Sequence, residues 1–391
     1  MNSRVRPTSV ILVVFMTMAL AIMPIPTLGV LAPFLVEEFR LSATELGLAS
    51  AVFGVVGGVT APTLGEASDR LGARGALTLL FGISIIAMVT AAVSAAGWVL
   101  VLAMAIAGLG QGIATPATNV AISQLVSVEG WGLATGIKEA GVPAGALVAG
   151  AALPLIAISA GWRTGFIALA FMSTFWLLAI RLLLPAMHLQ EPTKPRISHK
   201  RVPELVNRLA IYAFFIGFGT NAMLTFLPLF AEAVLDFELI PAGLLIAVAG
   251  AASVMGRIMW SSMTARWNLP RVQLMTIACL AMVSILLLAA SAIIASWLAW
   301  VGATIFGLSA FAWTSIGSMT VMRTVPGDTT GRATGRVILG FGLGLGFGPL
   351  AFGLLVDASD SFLTGLVALG FLYLAALLTM ATSRRAFGIG S

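Results

Sequence analysis

Apolar stretches of twenty residues or more follow one another along almost the whole chain, parted by links too short to hold a folded domain. The hydrocarbon core of a bilayer takes about 20 apolar residues per crossing helix. Twelve crossings are therefore expected, near 9–36, 45–66, 75–96, 98–125, 132–156, 164–184, 206–232, 241–263, 272–292, 297–322, 333–355 and 362–383. Links such as Ala96-Gly97 and Ala295-Ser296 force neighbouring helices to run antiparallel. A transmembrane barrel would instead show alternating segments of about ten residues, and none occurs. Only 9% of the residues are charged and 59% are hydrophobic, against about 25% charged in a soluble domain. A water-soluble enzyme is thereby excluded, and the expected fold is an all-α membrane protein surrounded by lipid bilayer.

The basic residues set the expected orientation. With the N-terminus in the cytoplasm, most of the 21 Lys and Arg fall on cytoplasmic links and helix ends, Arg4, Arg70, Arg74, Arg201 and Arg385 among them, while only Arg40 and Arg163 fall on the other side. Cytoplasmic loops carry such an excess. The pI near 10.4 thus reads as a topology signal and not as a nucleic-acid footprint. The first apolar run, roughly 8–36, is too long for the apolar core of a signal peptide and reads as the first crossing. Both termini are expected in the cytoplasm of a multi-pass protein of the cell (inner) membrane. The lone Cys279, with His188 and His199 in the polar middle segment, leaves no internal disulfide and no Cys- or His-based metal site. No cofactor is expected, nor a partner chain: the protein reads as a monomer.

Four prolines (Pro185, Pro192, Pro195, Pro203) and four cations (Lys194, Arg196, Lys200, Arg201) mark a linker over 185–205, between one six-helix bundle over 1–184 and another over 206–391. The halves repeat. Gly132-Leu133-Ala134-Thr135-Gly136 overlies Gly331-Arg332-Ala333-Thr334-Gly335, and the same offset lays Gly108-Leu109 on Gly307-Leu308. Pro33 meets Pro228 and Gly47 meets Gly243 at a slightly smaller offset. Two bundles related by a pseudo-two-fold axis, with a cavity between them, follow from such a repeat.

Between the second and third crossings stands Gly65-Glu66-Ala67-Ser68-Asp69-Arg70-Leu71-Gly72-Ala73-Arg74. This resembles the loop signature of the major facilitator superfamily of secondary transporters, with Gly65, Asp69, Arg70, Gly72 and Arg74 matching and Ala73 in place of a usual basic residue. The resemblance implies the twelve-helix, two-bundle fold, alternating access, and a gating role for those five residues. Asp69 ends a helix, where the dipole disfavours an anion, so Arg70 and Arg74 are expected to anchor neighbouring helix ends; ordinary positive-inside flanking is the plainer alternative. Two departures narrow the class. Gly108 stands where proton-coupled members often carry Arg ahead of Gln111-Gly112, and Ala146 stands where drug antiporters carry Pro after Gly141 and Gly145. A fuller version of that glycine pattern lies on the eleventh crossing: Gly335, Gly344, Gly348, Pro349 and Gly353.

Apart from the charges assigned to helix ends and loops, four ionisable residues lie inside crossings: Lys138, Glu139, Arg257 and Arg336. A charge near a helix centre costs about 2.5–3.5 kcal/mol on insertion scales and marks function by default. Three cations against one acid ask for an anionic substrate. Arg257 is the first candidate, since the guanidinium grips a carboxylate with two parallel hydrogen bonds; its place resembles that of the arginine in monocarboxylate and oxalate/formate-type members. Lys138 and Glu139 point about 100° apart on a helix, so Lys138 is expected to meet the substrate, and Glu139 to pair with another helix or carry the coupling proton. An internal salt bridge is the alternative for that pair, and an interfacial position is the alternative for Arg257 and Arg336. The amides Asn221, Gln111 and Asn119 complete the candidate substrate site. The acids on the far side, including Glu37, Glu38, Glu232 and Asp357, read as loop residues. No phosphate-binding G-x-x-x-x-G-K-S/T exists in the chain. The expected function is secondary active transport of a small organic anion, coupled to protons or to anion exchange; the alternative is a proton-driven multidrug antiporter.

Overall fold

The computed structural model of the chain describes residues 7–184, 203–267, 269–324 and 330–383. Every regular element in it is helical: α1 Pro7–Ile22, α2 Pro24–Val30, α3 Ala32–Phe39, α4 Ala43–Ala92, α5 Gly97–Leu125, a 3₁₀ turn Val128–Gly130, α6 Trp131–Ala160, α7 Trp162–Leu183, α8 Glu204–Leu235, α9 Leu239–Trp267, α10 Pro270–Ser291, α11 Leu298–Leu308, α12 Thr314–Thr324, α13 Thr330–Ser359 and α14 Phe362–Ala381. Among the described residues nine helices are long and apolar enough to cross a bilayer, and α1 with α2, bent by 44°, makes a tenth. Two more passes complete the expected twelve. One is hidden inside α4 and the other is divided between α11 and α12.

The division of α4 has a backbone cause. Its 50 residues run helically except at Gly72, whose φ of 67° and ψ of 175° lie in a region reserved for glycine. The chain reverses there, because Leu41, just before α4, touches Gly97, just after it. The reversal frees the Ala73 amide, which donates to Gln124 Oε1 of α5 at 3.1 Å. Gly72 of the signature loop therefore serves the turn itself. The first pass is bent where Pro24 and Pro26 remove backbone donors.

The two bundles meet along two related seams, α4 against α13 and α6 against α9. Both are built on small residues. A Cβ added at Gly54 would lie 3.0 Å from Gly346 N, and one at Gly250 would lie 2.7 Å from Leu147 N. Ser50 and Thr225 share a 2.7 Å hydrogen bond between the bundles. The face on which α1 begins and α14 ends is here called the termini face. Moving toward it the seam slackens: a Cβ at Gly58 would find Gly342 only at 4.0 Å, and Cβ atoms at Gly132, Gly136 and Gly335 would meet nothing within 4 Å. Among the described residues the bundles are thus zipped on the opposite face and parted on the termini face. The span-eleven glycines divide between two tasks, since Gly344 and Gly348 admit the α8 backbone and Gly353 admits α4. The expected linker lies almost wholly outside the described residues, and α8 begins at Glu204.

Candidate functional site

Lys138 and Glu139 lie seven and eight residues into α6, about 12 Å from its start at 1.5 Å per residue. That is the level at which the α6–α9 seam ends. Lys138 is 2% exposed. Its Nζ donates to Asn119 Oδ1 of α5 at 2.9 Å and lies 3.1 Å from Glu139 Oε1. Glu139 Oε2 lies 3.6 Å from Arg257 Nη1 of α9, and the same Nη1 donates at 2.9 Å to the Glu139 backbone carbonyl. One carboxylate therefore spans two cations, one from each bundle. The expectation that Lys138 and Glu139 diverge does not hold for their tips: the Cβ directions differ, but the long side chains curl back to a common point. The Glu139 side chain is 40% exposed, while both cations are buried, so the carboxylate is the part of the cluster that faces the open space.

Arg257 is held by a defect in its neighbour. Between α11 and α12 the helix is broken over Ser309–Trp313, and carbonyls of this irregular stretch turn sideways. Phe311 O accepts from Ser253 Oγ at 3.1 Å and from Arg257 Nη2 at 3.4 Å, and Ala310 O accepts from Thr220 Oγ1 at 3.4 Å. Gly256 lets α9 approach close enough for this, its missing Cβ lying 2.8 Å from Leu308 O. Irregular backbone at membrane depth is tolerated where it is buried in protein or lines a cavity. Among the described residues Arg257 Nε is buried without a partner, so the guanidinium keeps unused donor capacity. The cluster of Lys138, Glu139 and Arg257 carries one net positive charge when all three are ionised.

The other sequence-named residues divide. Asn119 joins the cluster. Asn221 is buried, and its Nδ2 donates at 2.6 Å to Leu345 O of α13, which ties two helices of one bundle. Gln111 packs its methylenes near Gly57 and keeps Oε1 buried and, among the described residues, unpaired. Arg336 is exposed on α13. In the signature loop, Asp69 and Arg70 are exposed, and Arg70 faces Glu66 at 4.0 Å. Among the described residues Asp69 and Arg74 form no ion pair, so in this state the charged side chains of the loop do not clasp neighbouring helix ends. Gly65 lies 3.8 Å, by its missing Cβ, from Pro116. Tyr212 and Trp313 are both buried and pack edge to face at 5.9 Å.

Two features escape sequence reasoning. The α11–α12 break contains neither glycine nor proline, so nothing announces it. On the opposite face, acids expected as plain loop residues are organised. Glu38 accepts from Trp162 Nε1 at 2.6 Å and pairs with Arg163 at 2.6 Å; the Arg163 hydrogen bond, then that of Trp162, holds its carboxyl below the usual range. Asp357 of α13 accepts from the Ala43 and Thr44 amides of α4 at 2.9 and 2.8 Å.

Comparison with known proteins agrees with this architecture. A family model described as Major Facilitator Superfamily matches residues 10–335. Over 169 residues the chain is 27% identical to a hexuronate transporter of Bacillus subtilis (strain 168), a stretch covering 43% of this chain and 40% of that protein. Over 151 residues it is 28% identical to a probable sulfoacetate transporter of Cupriavidus necator, covering 39% of this chain and 35% of that one. The matched stretches thus span two fifths or less of these curated relatives. Among solved structures, a bacterial homolog of the human lysosomal transporter Spinster, inward-facing and occupied, superimposes with a TM-score of 0.81 at 16% identity, covering 98% of each chain. A D-xylose-proton symporter gives 0.79 at 19% identity, covering 95% of this chain and 97% of that one.

Proposed function

Because the chain belongs to the major facilitator superfamily, we propose that it is a secondary active transporter of a small organic anion, whose carboxylate is received by Lys138 and Arg257. The observation that carries this reading is the Glu139 carboxylate lying between those two buried cations. It occupies the position an incoming carboxylate would take, and it is the member of the cluster nearest open space. A substrate carboxylate that displaces it satisfies both cations and leaves Glu139 free to take a proton. Binding of anion and proton then reinforce each other, which is the requirement for proton-coupled symport; anion exchange uses the same two cations without the proton. The termini face is the cytoplasmic one in this reading, the site lies in a cytoplasm-facing vestibule, and the protein acts as a monomer in the cell (inner) membrane. The two bundles, 1–184 and 206–391, rock about the site, and the signature residues Gly65, Asp69, Arg70, Gly72 and Arg74 close the termini face in the other half of the cycle. Gln111, Asn119, Asn221 and Arg336 remain candidate contacts for the rest of the substrate.

The names of the relatives, hexuronate and sulfoacetate transporter, support an anionic cargo. Drug antiport is the weaker reading, because the sole acid of the cluster already serves two cations and offers little to a lipophilic cation. The deciding experiment is uptake into proteoliposomes under an imposed pH gradient. Hexuronate, sulfoacetate and simple monocarboxylates are compared with lipophilic cations. Saturable uptake of carboxylates alone is expected; transport of the cations alone would overturn the assignment.

A further inference from the structure

We infer that Asp357 is the latch that holds the opposite face shut, by capping in trans the first turn of α4 from the other bundle. The first amides of a helix have no partner within it. At α4 every one is accounted for: Ser42 N donates to Glu45 Oε2 at 2.9 Å, Glu45 N to Ser42 Oγ at 3.2 Å, and Leu46 N to Ser42 O at 3.1 Å. The local capping box leaves Ala43 N and Thr44 N over. Those two are taken by the two oxygens of Asp357, at 2.9 and 2.8 Å, from a residue 314 and 313 positions away. An anion at a helix N-terminus is also favoured by the dipole. Beside it the Gly353 backbone abuts Ala43 O, so the carboxylate reaches the amides only while α13 lies against α4. The bonds therefore exist only with this face closed.

Opening the face exposes two amides and one carboxylate to water at the rim, where all three rehydrate. The latch is accordingly a reversible bias and not a lock. Its removal is expected to raise the population open on the opposite face by about tenfold, the factor that 1.4 kcal/mol supplies. The inference rests on the proposed rocking of the two bundles.

The test reads that population directly, in the full chain and without substrate. Spin labels at Ser159→Cys and Ser296→Cys, exposed and one in each bundle, are placed in a Cys279→Ser background in nanodiscs, and their separation is measured by pulsed electron resonance. Two variants attack the latch from its two ends. Asp357→Asn removes the charge. Ala43→Pro removes one donor at the first helical position, where proline is tolerated and where the extended Ser42 before it, ψ 163°, suits a following proline. Both are expected to raise the long-distance population about tenfold over the parent. If the parent shows both populations and neither variant changes them, the latch is wrong while rocking stands. If Asp357→Asn shifts them and Ala43→Pro does not, the carboxylate acts elsewhere and the latch on α4 is likewise overturned. A single, unchanging distance in all three proteins would sink the rocking motion itself.

Discussion

Two carboxylates bridge the same pair of bundles, and they do so in opposite ways. Glu139 stands where the seam ends and shares its charge between Lys138 and Arg257, both buried. Asp357 stands at the rim and binds two backbone amides that water can serve equally well. Breaking the first bridge strands buried charges, which costs several kcal/mol per ion, unless another anion arrives. Breaking the second costs little, with or without a ligand. The difference teaches which contact selects and which merely biases. A bridge whose partners cannot be rehydrated makes opening conditional on substrate, whereas one whose partners can be rehydrated sets only a resting preference.

The hardest blow to this contrast falls on Arg257. Arg257→Ala removes one partner of a desolvated charge pair, a change worth about 2–5 kcal/mol, so carboxylate affinity is expected to fall at least about tenfold. Arg257→Lys should restore little, since an ammonium lacks the planar fork. Titration of the three proteins with one carboxylate measures it, and equal affinities would leave the anion site without its main support.

Glu139→Gln comes next. The two cations keep a neutral amide between them and no longer need a proton to release them. Gradient-driven accumulation is expected to vanish while counterflow exchange persists, and carboxylate affinity should lose its dependence on pH. Accumulation equal to that of the parent would move the coupling proton elsewhere. A third variant leaves both carboxylates intact and pries the seam apart. In Gly47→Ala the new methyl runs into the Pro349 carbonyl, and such overpacking costs about 1–3 kcal/mol. Electron-resonance distances should then lengthen on the opposite face, as for the Asp357 variants but with unchanged hydrogen-bonding groups. Smaller still is Gly72→Ala, which forces a side chain into a glycine-only backbone region for about 1–3 kcal/mol, part of it relieved by local relaxation; a lowered unfolding temperature in detergent, with carboxylate affinity unchanged, is the expected result. Arg70→Ala should change neither stability beyond about 0.5 kcal/mol nor affinity beyond a few-fold, because the side chain is 72% exposed and its Glu66 partner lies at 4.0 Å; slowed transport with normal binding would mark it as a gate.

How far the residues foretold this arrangement depended on the range of the interaction. Crossings were legible because burial in lipid demands unbroken apolar runs, and the repeat Gly132–Gly136 over Gly331–Gly335 announced the two related bundles. Charges at membrane depth were legible for the same reason, since Lys138, Glu139 and Arg257 stand out wherever they are written into apolar sequence. Their pairing was not. An angular argument from α6 alone separated Lys138 from Glu139, but side-chain length and Arg257 on another bundle brought them together. Asp357 looked like any rim acid because its amide partners lie more than 300 residues away. The Ser309–Trp313 break was invisible because no residue within it disfavours a helix; Ser253, Thr220 and Arg257, from α9 and α8, claim the carbonyls it frees.

The glycine turn inside α4 bears on how such a chain is built. Two passes joined at Gly72 have no loop between them, and the Ala73 amide finds Gln124 only once α5 has followed. Neither arm can settle in the bilayer with its own choice of direction. Arms joined so tightly are expected to enter as a paired hairpin, the placement of the first dictating the second. Arg70 and Arg74 flank the bend, and the cost of a charge in the hydrocarbon core opposes carrying that bend through the bilayer. A lengthened linker at Gly72 would free the arms from each other and turn one obligatory insertion event into two independent ones.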